Sequence, residues 1–199
     1  MSQEAKLQEL AELRARVEQL EAEVRAPAPA EQPEWPPREF YTAYFVLAGF
    51  TLGGIAAMTS LLFNIIGSLI AGKHPLHLIQ IYLTFPLGEP ALKMESGLAL
   101  AVGCCLYLLT GMVFGVPFHL VLSRWFDKSD LARRFIITTA MALALWLINN
   151  GILAWLQPLL CGGDWIVKDI PWWVAASTHL VFGWTMLLLQ PLGRFVAAR

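Results

Sequence analysis

Charged residues are distributed very unevenly along this chain of 199 residues. Four long stretches without Asp, Glu, Lys or Arg have 33, 28, 29 and 24 residues: Phe40–Gly72, Ser96–Ser123, Phe135–Gly163 and Ile170–Gly193. A helix needs roughly 20 apolar residues to cross a bilayer core about 30 Å thick. The pattern predicts an all-α integral membrane protein whose four transmembrane helices cover about residues 42–71, 97–122, 136–160 and 172–192.

The hydrophilic N-terminal segment has a different periodicity. Its apolar side chains recur at alternating spacings of three and four residues: Leu10, Leu13, Val17, Leu20 and Val24. This is the a/d pattern of a coiled coil, and in a parallel dimer Glu9 would meet Arg14 of the second chain. Arg16 would meet Glu21 in the same way. Since only about two heptads are present, a lone amphipathic helix lying on the membrane or on a partner subunit is the alternative.

These patterns divide the chain into three parts. Residues 1–25 are predicted to form an amphipathic, coiled-coil-like helix, residues 26–39 a proline-rich spacer, and residues 40–199 the transmembrane domain. The expected partners are the lipid bilayer and either other membrane subunits or a second copy, through residues 9–24.

The basic residues predict an orientation. Lys and Arg concentrate on the cytoplasmic side of membrane proteins. Eight flank the predicted spans on one side, namely Arg25, Arg38, Arg124, Lys128, Arg133, Arg134, Arg194 and Arg199. Three lie on the other side, namely Lys73, Lys93 and Lys168. We therefore expect an integral protein of a bacterial inner membrane with both termini in the cytoplasm. The first stretch would then serve as an uncleaved signal anchor.

A fifth charge-free stretch, His74–Gly88, has only 15 residues, which suits an interfacial or re-entrant helix better than a span. Four polar side chains within and beside it share one helical face: Lys73, His77, Gln80 and Thr84. We call this set the polar stripe. It is expected to face water, and the alternative is that it faces the bundle and closes over a polar pocket.

Two histidines, His119 and His179, lie within predicted spans and are candidate cofactor-binding residues. The axial ligands of one haem must lie at nearly the same depth. These two differ in depth by roughly 10–15 Å at 1.5 Å per residue. The sequence demands no cofactor, and a haem could be held only by histidines of different subunits. Otherwise each histidine is expected to hydrogen-bond within the bundle.

Two amides, Asn149 and Asn150, lie near the middle of the third predicted span. Adjacent residues point about 100° apart on a helix, so the two amides cannot share a face. One is expected to bond to the first span, where the candidates are Thr59, Ser60 and Asn64. The role is then helix packing, or alternatively a pocket for a quinone head group or a small solute.

Small residues recur every four positions in the first two spans: Gly49, Gly53, Ala57, Gly111 and Gly115. Such residues let helix backbones approach closely. We expect them to serve packing within the bundle.

Composition narrows the function classes. The net charge of −1 gives no reason to expect nucleic acid as a partner, and the three cysteines form no disulfide or metal framework. Catalytic fingerprints are absent from the sequence, and so are ionised side chains within the spans. The leading hypothesis is a non-enzymatic accessory or scaffold subunit of a larger membrane complex, for example an electron-transfer complex. The alternative is a protein that binds or transports a quinone or small solute in a polar pocket near the outer face.

Overall fold

The computed structural model describes residues 3–25 and 38–194, and all the regular elements within those ranges are helical. Helix α1 spans Gln3–Arg25 and belongs to a first compact unit, whereas the second unit begins at Arg38. Residues 26–37, which make up most of the predicted spacer, lie outside the described residues, as do residues 195–199. Each unit is therefore considered by itself.

The second unit is a bundle of four long helices with short helical segments in its connections. In chain order its α-helices are α2 Arg38–Ile70, α3 His77–Leu87, α4 Leu98–Trp125, α5 Leu131–Cys161, α6 Trp165–Asp169 and α7 Trp172–Leu189. Two 3-10 turns cover Glu89–Lys93 and Gln190–Gly193. Four of these helices, α2, α4, α5 and α7, are long and apolar enough to cross a membrane, which confirms the prediction of an all-helical chain with four helices of that length within the described residues.

Helix α5 begins five residues before the predicted span and includes Arg133 and Arg134 in its first turns. A charged residue ends an apolar stretch of sequence, but it does not interrupt the hydrogen bonds of the backbone. Helix α5 therefore includes both arginines. The other end is set by Gly162, which has the left-handed φ of 70° and donates its N–H to the Pro158 carbonyl. Glycine adopts this conformation without steric cost and commonly ends helices.

Helices α2 and α4 pack at backbone contact distance. A Cβ atom placed on Gly53 would lie 2.5 Å from the carbonyl oxygen of Gly111. One placed on Gly115 would lie 2.4 Å from the Cα atom of Gly53. This confirms that the repeated small residues serve packing within the bundle.

Beyond this contact, α2 packs on α7 and α7 packs on α5, whereas α4 and α5 touch only slightly. The main core lies where α2, α4, α5 and α7 meet, and there the rings of Phe118 and Phe182 stand edge to face with centroids 5.5 Å apart. A second core beneath α3 contains Ile79, Leu83 and Leu100. Helix α3 is thus packed on the bundle, and we call this end of the molecule the α3 end.

The outer surface of the four long helices is rich in exposed apolar side chains. Leu47, Leu147 and Leu188 are 65%, 61% and 77% exposed. Apolar patches of this extent on a helix bundle mark a surface that meets lipid or other proteins. The bundle is therefore compatible with a membrane-embedded protein.

The Gly53→Ala variant is expected to be less stable, because the added methyl group meets the backbone of α4, which cannot move aside without displacing the helix. Overpacking of this kind costs about 1–3 kcal/mol, which corresponds to a fall in unfolding temperature of roughly 3–10 °C. The measurement is thermal unfolding of the purified protein in a mild detergent.

Gly67→Ala is the matched control on the same helix, because no atom lies within 4 Å of its added Cβ. This variant should unfold at or slightly above the parent temperature, since alanine favours helix. Equal losses in the two variants would show that α2 and α4 do not depend on close backbone contact.

Candidate functional site

A cavity of about 470 Å³ lies at the α3 end of the bundle, between α3, α4, α5 and α7, with α2 behind it. This volume falls within the usual range of small-molecule pockets, roughly 300–1,000 Å³. Most of its lining is apolar, including Leu106, Phe114, Leu153 and Phe182. Asp, Glu, Lys and Arg are absent from the lining residues, so the cavity suits a molecule without net charge, because an unpaired charge there would be costly.

The cavity opens sideways, between α4 and α5. These two helices contribute lining residues from facing sides but make little contact with each other. Leu106 and Thr110 of α4 line the cavity and are also exposed on the outer surface. We call this gap the lateral opening. It faces the surface that is rich in exposed apolar side chains, so an apolar molecule can reach the cavity without passing α3.

Two tyrosines, Tyr82 and Tyr107, line the cavity. The Tyr107 hydroxyl of α4 hydrogen-bonds with the Ser60 hydroxyl of α2, and the rings of Tyr82 and Tyr107 lie with centroids 6.4 Å apart. Burial raises the pKa of Tyr82, and a hydrogen bond with the Asn149 side chain opposes part of that rise. Sequence reasoning missed them, because a tyrosine in an apolar stretch carries no signal of its own.

His179 of α7 also lines the cavity. Its Nδ1–H donates to the Ala175 carbonyl one turn earlier, at 2.8 Å. This bond fixes the tautomer in which Nε2 carries a lone pair. Within the described residues Nε2 has no hydrogen-bond partner, so it is free to accept a hydrogen bond from a molecule in the cavity.

The two asparagines separate, as adjacent helix positions must. Asn149 lines the cavity and faces Tyr82, whereas Asn150 is half-buried outside the lining. None of the three α2 candidates is seen to bond to these amides among the described contacts: Asn64 donates to Thr178 of α7 at 3.0 Å, Ser60 bonds to Tyr107 and Thr59 to the Ile55 carbonyl. The Asn149 amide of α5 therefore contacts α3 and not α2, while the Asn64 amide links α2 to α7.

The polar stripe does not face water along its whole length. Gln80 is 3% exposed and Thr84 is fully buried, so the water-facing interpretation is wrong at these two positions. The alternative interpretation, in which the polar stripe closes over a polar pocket, is also not supported, because all four of its residues lie outside the cavity lining. They bond to protein instead: Gln80 donates to the Met94 carbonyl at 2.6 Å, and exposed Lys73 lies 3.3 Å from Nε2 of His77.

A buried amide, Gln157 of α5, connects the segments at the α3 end. Its Nε2 donates to the Thr84 hydroxyl at 2.7 Å, and its Oε1 accepts the backbone N–H of Ile166 at 2.8 Å. Cys161 adds a bond from its thiol to the Phe85 carbonyl. Sequence reasoning missed Gln157, although a lone amide beside Pro158 near the end of an apolar stretch is a readable signal.

His119 lies at the opposite end of the bundle, fully buried. Its Nε2–H donates to the Gly193 carbonyl at 3.2 Å, and its Nδ1 has no partner among the described residues. A Cβ atom on Gly193 would lie 2.7 Å from Nε2, so packing is tight on that side. The ring ties the C-terminal turn to α4 and has no open face at Nε2 for an iron ion.

A polar cluster beside His119 joins the ends of three helices. Arg134 of α5 donates to the side chain of Gln190, which follows α7, and Arg194 forms an ion pair with Asp127 at 3.1 Å. Gln190 is fully buried, so this contact is part of the packing. Metal-binding groups of three or more His, Cys, Asp or Glu are absent from residues 3–25 and 38–194.

His77 is expected to make stability depend on pH. Burial lowers its pKa below the ordinary 6.5, the Lys73 ammonium lowers it further, and the Gln80 hydrogen bond and the more distant Asp169 oppose this. As pH falls below 6.5, the unfolded chain binds a proton that the folded chain disfavours, so stability is lost on acidification. The His77→Asn variant should lose less stability than the parent between about pH 8 and pH 5.

The measurement is the unfolding temperature against pH for the parent, His77→Asn and Lys73→Met. Lys73→Met removes one cause of the lowered pKa, so its curve should lie between the other two. Parallel curves for all three proteins would contradict the assignment.

Comparison with known proteins gives no relative from which a function could be carried over: no family model, no curated protein and no solved structure matches this chain. The function has to be inferred from the cavity and its lining.

Proposed function

We propose that this protein is an integral membrane protein that binds an uncharged amphiphilic molecule in the cavity at the α3 end. The molecule enters from the lipid phase through the lateral opening. A quinone, which has a polar ring and an apolar tail, belongs to the class of ligand that this cavity fits. The main observation in support is a cavity of about 470 Å³ whose lining residues are uncharged. It opens onto the outer surface of the bundle, which is rich in exposed apolar side chains.

The polar groups of the cavity match a head group that both accepts and donates hydrogen bonds. The Tyr82 hydroxyl and the Asn149 amide can donate to a carbonyl oxygen, while Nε2 of His179 can accept from a hydroxyl group. A quinone ring offers the first kind of oxygen and its reduced form offers the second. The apolar lining formed by Leu106 and Leu153 suits the tail.

Binding is proposed in preference to catalysis. Acyl-transfer and hydrolytic sites pair a nucleophile with a base within hydrogen-bond reach. In the cavity, the hydroxyl of Thr110 bonds to the Leu106 carbonyl of its own helix, and the Ser60 hydroxyl bonds to Tyr107. His179 bonds to a backbone carbonyl. These groups support recognition of a neutral head group, and we assign no reaction to them.

An accessory or scaffold role in a larger membrane complex remains the second candidate function. The observation that favours it is the apolar side of α1, where Leu13 is 61% exposed and Val17 is 54% exposed. An exposed apolar face on a helix of a separate unit is a surface for a second polypeptide chain, and an assembly through it, whether of like or unlike chains, is what a scaffold role requires. Both roles are compatible, because a bound quinone would suit a subunit of an electron-transfer complex.

The proposed site is tested by blocking the lateral opening. Leu106→Trp places a larger side chain at the entrance and should weaken binding of a short-tailed benzoquinone about tenfold or more. Leu109→Trp is the control on the same helix, since Leu109 is exposed but lies outside the lining. Binding is measured by native mass spectrometry of protein in lipid nanodiscs at a fixed quinone-to-lipid ratio.

The head-group contacts are tested by Asn149→Leu with the benzoquinone and by His179→Leu with the corresponding quinol, whose hydroxyl group can donate to Nε2, with Asn150→Leu as the control for both. Loss of one neutral hydrogen bond corresponds to a roughly three- to tenfold weaker binding. Equal binding in all five variants and the parent would exclude this cavity as a quinone site. Weakening by the entrance variant alone would point to a ligand that has a different head group.

The orientation is part of the proposal. Both termini face the cytoplasm of a bacterium, so the α3 end faces the other side of the inner membrane, as the basic residues favour. In a chain whose three cysteines are replaced by alanine, Ser96→Cys should react with a membrane-impermeant maleimide on intact spheroplasts. Ser129→Cys should react only after the membrane is permeabilised. The reverse labelling pattern would overturn this orientation.

A further inference from the structure

Helix α1 carries an apolar face that its own unit leaves uncovered. Along the part of α1 whose side chains are described, residues 8–21, every residue is exposed. Four large apolar side chains lie on one face and are 48%, 61%, 54% and 51% exposed: Leu10, Leu13, Val17 and Leu20. We call these four residues the apolar stripe. Its burial requires an occupant, and the chemistry of the flanking residues identifies which kind.

We infer that the occupant is α1 of a second copy of this chain, paired in parallel as a two-stranded coiled coil. The inference does not depend on the ligand proposed for the cavity. Leu13 and Leu20 occupy d positions, and the a positions carry Leu10, Val17 and Val24, two of which are β-branched. A β-branched residue at a with leucine at d favours two parallel strands over higher oligomers.

The charges beside the apolar stripe match this arrangement. In a parallel pair each g position faces the following e position of the other helix. Glu9 then faces Arg14 of the second copy, and Arg16 faces Glu21. Both contacts join opposite charges, and the symmetry of a dimer forms each of them twice. A shift of one helix by a heptad would place Glu9 opposite Glu21, which favours the register without a shift.

A membrane surface fits the same helix poorly. Helices that lie on bilayers usually carry Lys and Arg on the polar face and Trp or Phe on the apolar face. Helix α1 has six Glu residues against four Lys and Arg residues, and aromatic residues are absent from Gln3–Arg25. Anionic lipid head groups would repel it. The charge balance therefore favours a protein partner over lipid.

Attachment to the bundle compensates for the short length of the coiled coil. Two heptads pair weakly in dilute solution, because an isolated short helix is marginally stable. Two copies inserted in one membrane with the same orientation begin α2 on the same side, so parallel pairing of their α1 helices requires no reversal of either chain. Confinement to one membrane also raises the effective concentration of the two helices.

The test uses the full-length protein in native membranes, with Cys104, Cys105 and Cys161 replaced by alanine. Single cysteines are introduced as Leu13→Cys or Val17→Cys on the apolar stripe, and as Ala15→Cys at the outward-facing f position. Copper phenanthroline then oxidises thiols whose Cα atoms can approach within about 7 Å. The two stripe variants should form a disulfide-linked dimer in several-fold higher yield than Ala15→Cys.

Equal yields at the three positions, or an absence of dimer in both stripe variants, would overturn the inference. So would a disulfide-linked product that contains a different protein. All three positions are exposed, so the variants should fold like the parent, which is checked by elution from a sizing column.

Charge exchange tests the parallel arrangement separately. In the Val17→Cys background, Glu9→Arg and Arg14→Glu should each lower the dimer yield several-fold, because each places like charges opposite one another. The double variant exchanges the pair and should restore the yield. An antiparallel pair brings g positions opposite g positions, so there the double variant would not recover, and that result would overturn the parallel assignment.

Discussion

The close backbone contact between α2 and α4 determines the shape of the rest of the bundle. Because Gly53 and Gly115 carry no side chain, α4 lies directly against α2. Helix α4 makes its most extensive contact with α2, whereas it touches α5 only slightly. The space between them becomes the cavity and its lateral opening. Some of the small residues also contribute to the candidate site directly, since Ala57 and Gly111 line the cavity.

Polar groups buried in an apolar bundle must find partners within the chain, because a buried polar group without a hydrogen bond is costly. This requirement explains the α3 end, where Gln80, Thr84 and Gln157 are all buried and all hydrogen-bonded. Their bonds hold the connecting segments against the four long helices. Asn149 and His179 differ from these three, because they face the cavity and keep bonding capacity that a ligand can use.

The length of the charge-free stretches was enough to predict four long helices, because crossing a bilayer imposes a minimum length that few other structures share. The small-residue contact could also be predicted, since only glycine allows backbones to meet. The polar stripe could not be placed, because periodicity shows that residues such as Gln80 share a face but not which neighbour that face meets. Tyr82 and Gln157 were missed for a related reason. Their roles depend on partners far along the chain, Asn149 for Tyr82 and Thr84 for Gln157, and a single sequence does not show which distant residues pair.

The lateral opening has a consequence for how occupancy of the cavity is controlled. For a molecule that enters from the bilayer, the relevant concentration is its concentration in the lipid phase, not its concentration in water. Occupancy would then follow the mole fraction of that molecule in the membrane. Added detergent or lipid would empty the cavity by dilution even when the total amount of the molecule is unchanged, whereas a larger aqueous volume would have little effect.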